Sequence, residues 1–404
     1  MLDPWDFGAE KRARSSAIIL FHHFDCEICR ILEDEHEQEH DFSTITPFPT
    51  GRLAALKNVQ TPGMGVASNS PPGINRHVTV GAESLSMHAS RILALINRIG
   101  AVWAAVIALY LVSGLVSPGM FQVDQVLNIL QVSAFLGVVA TGQTLALLVG
   151  GIDLSVAGVV TMSNIVSTSV MVGRSETMLA GIAICLLIAA GVGLVNGLMI
   201  TILRVTPLVA TLGMNSILFG AALVYTGGAP HGTASPGFLI FGQGHILGLP
   251  VSAICWLAIA LGTSWLTQGT VFGRRLYAVG ANAVAARLMG IAVNRTVTAA
   301  YVLSSVMAAL GGLLLTSYIG SPSLGIGDQF LLTSIAAVVV GGTALTGGVG
   351  SVLATIGGTL FVTELNSFTN IVRVSTGTQF VLQGAVIALS VLLYRLVASK
   401  RVSG

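Results

Sequence analysis

Two glycine pairs interrupt long apolar runs, and the residues beside them are the first candidates for chemistry. Gly150-Gly151 is followed by Asp153 and Ser155, and Gly341-Gly342 is followed by threonines. A glycine pair ends a helix, and a neighbouring aspartate, serine or threonine can cap the next one. The sequence therefore predicts a helix break at each pair. Asp153 is interpreted either as a helix cap or as a gate or coupling element, and the likeness of the two breaks suggests an internal repeat.

Uncharged amide side chains within the apolar runs form a second group of candidates. An amide in lipid either joins two helices by a hydrogen bond or faces a polar pathway. Neutral groups that both donate and accept hydrogen bonds suit a polyol better than an ion. The residues predicted to line such a pathway are Gln143, Asn164, Asn215, Asn366 and Gln379.

Several kinds of chemistry have no motif in the sequence. There is no Gly-Lys-Ser or Gly-Lys-Thr, hence no Walker phosphate loop, and there is no zinc-protease motif or nucleophile elbow. The sequence thus predicts no metal, no cofactor and no enzymatic activity in this chain.

The composition indicates a chain that lies in lipid. Hydrophobic residues make up 53% of the chain and charged residues only 9%, whereas a soluble domain carries about 25% charge. The charge is uneven, because residues 1–91 contain 12 acidic residues and residues 92–404 contain 5. The sequence therefore predicts a polar leader at 1–91 and a membrane domain at 92–404.

The leader lacks a sustained apolar period and is punctuated by proline and glycine, which predicts disorder. Two alternatives stay open. One is a small zinc site formed by Cys26, Cys29, His36 and His40, although the gap from Cys29 to His36 is shorter than a zinc finger needs. The other is a translation start at Met87, which would remove nearly all of the leader.

The membrane domain contains ten apolar segments, most of them near the ~20 residues that cross a hydrocarbon core of ~30 Å. They predict an all-α polytopic membrane protein with about ten transmembrane helices. The eighth segment is short, which makes it a candidate discontinuous helix, and eight crossing helices with two re-entrant segments are the alternative. The segments are 99–117, 125–149, 153–172, 178–203, 207–226, 248–267, 297–316, 331–346, 349–368 and 379–396.

Lysine and arginine indicate the orientation. With ten spans both termini share one side, and that side contains most of the basic residues, including the four arginines of the loop at 268–296. Near the membrane the other side has only Arg174 and Arg373. The positive-inside rule therefore places both termini in the cytoplasm. Basic residues confined to a few loops do not indicate nucleic-acid binding.

A basic segment at 273–290 leads into an alanine-rich stretch that Gly290 ends, which predicts a short helix projecting from the membrane. Such a helix either docks on a cytosolic partner or belongs to an ordinary basic loop.

The order of these motifs resembles the permease subunits of ribose/xylose-type sugar ABC importers. The resemblance runs from about residue 98 to 396 and does not cover the leader. Its motifs are Gly150-Gly151-Ile152-Asp153-Leu154-Ser155, Asn196-Gly197, Pro207 with Ala210-Thr211-Leu212-Gly213, Gly273-Arg274 through Gly290-Ile291, Ile335 through Gly342, and Leu365-Asn366.

The resemblance implies a multi-pass subunit of the inner (plasma) membrane that acts with a second permease subunit, cytosolic ATPase subunits and a periplasmic sugar-binding protein. It also implies that a helix around Val284–Gly290 couples the permease to the ATPase. The importer-wide pattern Glu-Ala-Ala-x-x-x-Gly has Val284 in place of its glutamate here, so the acidic residue is missing. The residues assigned to coupling are Arg274, Tyr277, Gly280, Asn282, Ala285, Ala286 and Gly290.

We therefore expect a permease that moves a ribose- or xylose-like monosaccharide inward by alternating access, with ATP hydrolysed in a separate subunit. The alternative is an ion-coupled secondary transporter of small polar solutes, which should carry acid or base pairs inside the membrane. The scarcity of charge in the apolar segments favours the importer. A channel or a structural membrane protein would show no ATP-dependent accumulation.

Overall fold

The described part of the chain covers most of the membrane domain. The computed structural model describes residue 100, residues 102–375, and residues 377–379, 381–382, 384–385 and 388. The leader at 1–91, with its zinc candidates and the alternative start at Met87, lies outside the described residues. Most of the tenth predicted segment lies outside them as well.

Helices make up nearly all of the regular structure in this part of the chain. The exceptions are two short 3₁₀ turns, Pro118–Phe121 and Ser175–Thr177, and a hairpin of β1 (His245–Ile246) and β2 (Leu249–Pro250). The helices are α1 (Val102–Val116), α2 (Val123–Leu148), α3 (Val156–Met171), α4 (Met178–Thr201), α5 (Pro207–Thr226), α6 (Pro236–Gln243), α7 (Val251–Gly269), α8 (Val271–Ala281), α9 (Ala283–Leu288), α10 (Val293–Ile319), α11 (Asp328–Val340) and α12 (Val352–Ile371).

The apolar segments predicted from the sequence are helices. Within the described residues, α2, α4, α5, α7 and α10 are long and apolar enough to cross a membrane, and α1, α3 and α11 are shorter apolar helices. Nine of the ten predicted segments coincide with α1–α5, α7 and α10–α12. The prediction of an all-α polytopic membrane protein is confirmed. The predicted short helix before Gly290 is also present, as α9.

Both glycine pairs end a helix with the same turn. After α2 the amide of Gly150 donates to Leu147 O and that of Gly151 to Ala146 O. After α11 the amide of Gly342 donates to Val339 O and that of Thr343 to Val338 O, which are again the carbonyls three and five residues earlier. This is a Schellman turn, whose left-handed residue is Gly150 (φ 81°) in the first case and Gly342 (φ 86°) in the second. Pairing Gly150 with Gly341, as the sequence suggested, is therefore one residue out of register.

The starts of the following helices match the sequence prediction in one case only. The N-cap residue of α3 is Ser155, and the Asp153 carboxyl group accepts from the Ser155 amide, whereas α12 begins only after Ser351. The second glycine pair is thus separated from the next helix by a turn of about ten residues, and its threonines do not cap that helix. Helix α11, which corresponds to the predicted eighth segment 331–346, starts three residues earlier than predicted, at Asp328, and ends at Val340.

Helix α10 lies at the centre of the bundle, packed against α2, α3 and α4. Glycines allow the closest of these contacts. A Cβ at position 193 of α4 would lie 2.5 Å from the Val302 Cα of α10, and one at position 197 would lie 2.7 Å from the Thr298 Cα. Small residues bring membrane helices close enough for backbone packing, and here they hold α4 against the central helix.

Helix α11 is too short to cross the membrane. Its 13 residues span about 20 Å, less than the ~30 Å hydrocarbon core. It begins inside the bundle, because the Gly327 amide donates to Thr161 Oγ1 of α3 at 3.0 Å and a Cβ at 327 would lie 1.9 Å from Ala157 O. Asn164 of α3 fixes the chain that leads there, donating to Ser321 O and accepting from the Ser323 amide. Helices that start within the membrane commonly border the binding site of a transporter.

Candidate functional site

The connection between α2 and α3 is irregular backbone inside the helix bundle. Asp153 and Ser155, at its end, are both fully buried. Asp153 Oδ1 accepts from the Ser155 amide (3.0 Å) and hydroxyl, while Oδ2 accepts from the Ser304 hydroxyl (2.8 Å). The carboxyl group therefore joins the start of α3 to the middle of α10.

Side chains from three other helices complete this network. The Gln143 amide of α2, oriented so that both of its groups are satisfied, donates to Asp153 O (3.0 Å) and accepts from the Asp153 amide (3.3 Å). Thr211 of α5 donates to Ile152 O, and its hydroxyl accepts from the Leu154 amide. Asn196 of α4 donates to the Ser155 hydroxyl at 2.9 Å. Non-helical backbone at membrane depth survives only where protein groups satisfy it in this way.

Gly151 permits a close approach of Tyr301 to the break. A Cβ at position 151 would lie 2.1 Å from the Tyr301 hydroxyl oxygen, so no other residue fits without displacing the ring. Tyr301 is fully buried, and among the described residues its hydroxyl has no hydrogen-bond partner. The first break is thus packed directly onto α10 as well as hydrogen-bonded to it.

The structure brings the two glycine breaks together, and α8 meets both. The Gly348 amide, in the turn after the second break, donates to Leu148 O at the end of α2 (3.0 Å). A Cβ at Gly280 would lie 1.8 Å from that same oxygen and 2.5 Å from the Gly348 nitrogen. Tyr277, one turn earlier on α8, donates its hydroxyl to Gly350 O at 2.9 Å, and burial raises the pKa of this phenol, so it remains a donor. Two of the predicted coupling residues, Gly280 and Tyr277, therefore contact the residues that flank the two glycine breaks, Leu148, Gly348 and Gly350, rather than the predicted gate residues themselves.

Helix α9 follows α8 and presents apolar side chains outward. Asn282 caps it, accepting from the amides of Val284 (3.0 Å) and Ala285 (2.9 Å). Gly290 leaves it with φ 80°, which allows the sharp exit toward α10. The side chains exposed on this segment are Val284 (71%), Leu288 (85%) and Met289 (82%).

Among the predicted coupling residues, Ala286 lies elsewhere than expected for a partner contact. Its side chain is buried against Val279 of α8 and Val293 of α10. Arg274 and Ala285 are exposed. Ala286 thus fixes α9 to the rest of this chain. The large apolar side chains exposed here are Val284, Leu288 and Met289. They lie within the predicted coupling range Val284–Gly290 but are not among the individual residues assigned to coupling.

A cavity of about 380 Å³, the larger of the two cavities that the first turn of α11 borders, lies between α2, α10, α11 and α12, at the ends of these helices remote from α8. Asn366 and Gln379, two of the predicted pathway residues, line it. Phe135, Tyr318 and Phe330 contribute aromatic walls, with the Phe135 and Tyr318 ring centroids 5.3 Å apart. The cavity and the α8 contact therefore lie at opposite ends of α2.

The other three predicted pathway amides hold backbone instead. Gln143 satisfies the break, and Asn164 fixes the chain before α11. The Asn215 Oδ1 of α5 accepts from the Gly158 amide in the first turn of α3 (2.7 Å), and Asn215 also borders a second cavity of about 270 Å³. Whether any of the five contacts a solute stays a prediction.

Asp328, at the start of α11, is a polar residue that the sequence analysis did not single out. It lines the second cavity with Ser216 and Thr161 and is exposed. The neighbouring Gln329 is exposed as well and lines the larger cavity. The first turn of α11 therefore borders both cavities. The sequence signal that could have identified Asp328 was a charged residue at the edge of an apolar segment.

Glu364 of α12 does not line the larger cavity. It is 3% exposed, and its carboxyl group accepts a hydrogen bond from the Ser113 hydroxyl of α1 at 3.2 Å. This acid therefore links α1 to α12.

We expect Asp153→Ala to destabilise the protein more than Asp124→Ala, the same substitution in the first turn of α2. Asp153→Ala removes the acceptor of three hydrogen bonds at a fully buried position, and buried donors left unpaired cost about 1–3 kcal/mol each. A net loss of about 3 kcal/mol would lower the unfolding midpoint in detergent by roughly 5–10 °C. Asp124→Ala, at an exposed position in the first turn of α2, is the control. Equal midpoints for the two variants would contradict the proposed network.

Comparison with known proteins agrees with this architecture. Residues 125–391 match the family described as "Branched-chain amino acid transport system / permease component". The ribose import permease protein RbsC of Bacillus subtilis (strain 168) is 38% identical over 291 residues, covering 71% of this chain and 89% of that protein. RbsC of Haemophilus influenzae is 34% identical over 302 residues, covering 74% and 93%. The D-allose transport system permease protein AlsC of Escherichia coli (strain K12) is 30% identical over 296 residues, covering 73% and 90%. No solved structure matches the chain.

The family match covers the helices from α2 to α12, including both glycine breaks, the α8–α9 segment and the larger cavity. The alignments with the two RbsC proteins cover 89% and 93% of the length of those proteins. The chain therefore belongs to the branched-chain amino acid transport system / permease component family, and it is similar to ribose import permeases.

Proposed function

We propose that this chain is the membrane-spanning subunit of an ATP-driven importer for a monosaccharide. The ATP is bound and hydrolysed by a separate cytosolic subunit, and this chain carries out no covalent step and needs no cofactor of its own. The family match and the names of the relatives support a permease component, and the geometry of α8 and α9 supports its coupling to a partner.

The exposed apolar surface of α9 is the observation that carries the proposal. Val284 and Leu288 of this short helix and Met289 at its C-cap are 71–85% exposed beside Arg287, outside the long apolar helices. Apolar side chains exposed to water on such an element indicate a contact with another protein. Their direct neighbour, α8, touches both helix breaks. A partner that moves α9 would therefore move the breaks with it.

The solute class follows from the relatives and from the cavity. The relatives' names specify ribose and D-allose. None of the described residues that line the larger cavity is charged, which suits a neutral polyhydroxyl solute. We propose a pentose or hexose as the transported solute.

The orientation and assembly follow the charge distribution. We place both termini and the α8–α9 segment in the cytoplasm, because most basic residues fall on that side. A periplasmic sugar-binding protein delivers the solute to the opposite side, in an inner membrane. A second permease subunit covers the side of the bundle where Asp328 and Ser216 are exposed, since an acidic side chain facing lipid would be costly.

Transport then proceeds by alternating access between two states that the partners bias. Closure of the ATPase subunits displaces α9, and α8 transmits this displacement to the turns after α2 and α11 through Gly280 and Tyr277. The Ser304–Asp153 hydrogen bond links the first turn to the central helix α10. The cavity, at the other ends of α2 and α11, changes its access as those helices shift.

Reconstitution in vesicles tests the proposal. The chain is purified with ATPase and sugar-binding subunits from its own genome, and uptake of labelled D-ribose and D-allose is measured. We expect accumulation that requires ATP and the binding protein and that a protonophore does not abolish. Uptake by this chain alone, driven by an ion gradient, would favour the secondary transporter and contradict the proposal.

A further inference from the structure

We propose that the larger cavity binds the sugar during transport and that this chain therefore selects among sugars by its own contacts. The inference rests on the proposed function and adds a binding site to it. Its basis is one unpartnered hydroxyl, a set of neutral polar side chains and an aromatic wall, all facing the same space of about 380 Å³.

Thr363 of α12 provides the most specific evidence. Its side chain is 5% exposed and lines the cavity, and its Oγ1 has no hydrogen-bond partner among the described residues. Most threonines in this bundle donate to the carbonyl four residues earlier, as Thr359 does to Thr355 O at 2.9 Å. A buried hydroxyl without a partner costs free energy, and a solute hydroxyl in the cavity would supply the missing hydrogen bond.

The polar side chains around Thr363 fit a sugar better than a charged solute. Asn128 of α2, Gln329 of α11, and Asn366 and Asn370 of α12 line the same cavity. An amide presents a donor and an acceptor, which matches the paired donor and acceptor character of a sugar hydroxyl. Every described residue that lines the cavity is neutral, so none offers a charged side chain as a partner for an ionic solute. Glu364, beside Thr363, is bonded to Ser113 of α1 and is not among the lining residues.

The apolar part of the cavity is an aromatic wall. Phe135 of α2 and Tyr318 of α10 pack with their ring planes tilted by 40° and their centroids 5.3 Å apart, and Phe330 of α11 lines the cavity with them. A cavity with a few convergent polar groups and an apolar wall is the usual form of a small-molecule site, at volumes of ~300–1,000 Å³. The site takes a monosaccharide with its hydroxyls toward Thr363 and its carbon face toward the rings.

The position of the cavity fits a step in transport. It lies at the first turn of α11, the helix that starts inside the bundle, where Gln329 is exposed. Helices α2 and α11 run from this cavity to the two turns that α8 contacts. A displacement of α8 would therefore reach the site through α2 and α11.

The experiment measures the ratio of D-ribose to D-allose uptake in vesicles that contain the complete transporter. The binding protein and ATPase are identical in all samples, so their own preference cancels when variants of this chain are compared. The variants are Thr363→Val, which removes the hydroxyl and keeps the shape, and Gln329→Leu, which alters an exposed side chain and leaves the buried core intact. Thr359→Val is the control, because it is the same substitution one turn earlier on α12, outside the cavity lining.

We expect Thr363→Val and Gln329→Leu to change the uptake ratio by about three- to tenfold, the effect of a hydrogen bond that one of the two sugars makes and the other does not. ATP hydrolysis stimulated by the loaded binding protein should change by less than about twofold, since that stimulation does not require the hydrogen bond. Thr359→Val should leave the ratio unchanged. An unchanged ratio in both cavity variants, whether total uptake falls or not, overturns the inference. Absence of sugar uptake by the wild-type transporter would instead contradict the proposed function.

Discussion

Leu288→Glu should abolish sugar uptake and release the ATPase subunit. Leu288 is 85% exposed and lies between Val284 and Met289 on the apolar surface of α9. Burying an unpaired carboxylate in a protein contact costs about 3–5 kcal/mol, which weakens binding roughly 100-fold or more. The substitution does not disturb the chain itself, because the side chain has almost no contacts within it. The measurement is co-purification of the ATPase with the tagged permease, together with uptake in vesicles.

Leu247→Glu is the matched control for this prediction. It makes the same substitution at a leucine that is 99% exposed, in the turn between β1 and β2, which belongs to a different segment from α9. We expect this variant to retain the ATPase. Retention of the ATPase by Leu288→Glu at wild-type level would show that α9 is not the docking helix.

The elements of the fold were predictable because each is specified by a local pattern. Apolar runs of about 20 residues predict membrane helices wherever they occur, and nine such segments coincide with helices here. Glycine pairs predict helix ends because only glycine adopts the left-handed turn at low cost, as Gly150 and Gly342 do. Asn282 and Gly290 likewise mark the ends of α9.

The partners of each polar group were not predictable, because they lie far apart in the sequence. Ser304 is 151 positions from Asp153, and Thr211 is 57 positions from Leu154. An amide in an apolar run looks the same whether it faces a cavity or a backbone group, so Gln143 and Asn366 received the same prediction and occupy different environments.

The orientation of α9 was likewise not predictable from the sequence, although the segment is short. The pattern Val284-Ala285-Ala286 indicates a helix but not which side faces the rest of the chain. The Val279 and Val293 side chains of the adjoining helices cover Ala286, which leaves Val284, Leu288 and Met289 exposed. The departure from the acidic pattern at position 284 thus places a valine on the exposed surface, and the partner contact that we propose there is apolar at this position rather than charged.

Gly280→Ala should reduce uptake at least about tenfold while the ATPase stays bound. A Cβ at this position would lie 1.8 Å from Leu148 O and 2.5 Å from the Gly348 nitrogen, so α8 must move away from both turns. Overpacking of this kind costs about 1–3 kcal/mol and displaces the backbone. The surface formed by Val284, Leu288 and Met289 is on the next helix and is unchanged. The variant therefore separates the transmission of movement from the docking that Leu288→Glu removes.

The measurements are uptake, ATP hydrolysis and ATPase co-purification on the same vesicle preparation. Gly262→Ala on α7 is the matched control, because a Cβ there has no neighbour within 4 Å, and it should behave as the wild type. In Gly280→Ala we expect ATP hydrolysis to persist without a matching rate of sugar uptake, since the partner still docks and the breaks no longer follow it. Wild-type uptake by Gly280→Ala at a normal level in the membrane would mean that α8 does not drive the two breaks, and another contact of α9, such as its direct continuation into α10, would have to transmit the movement.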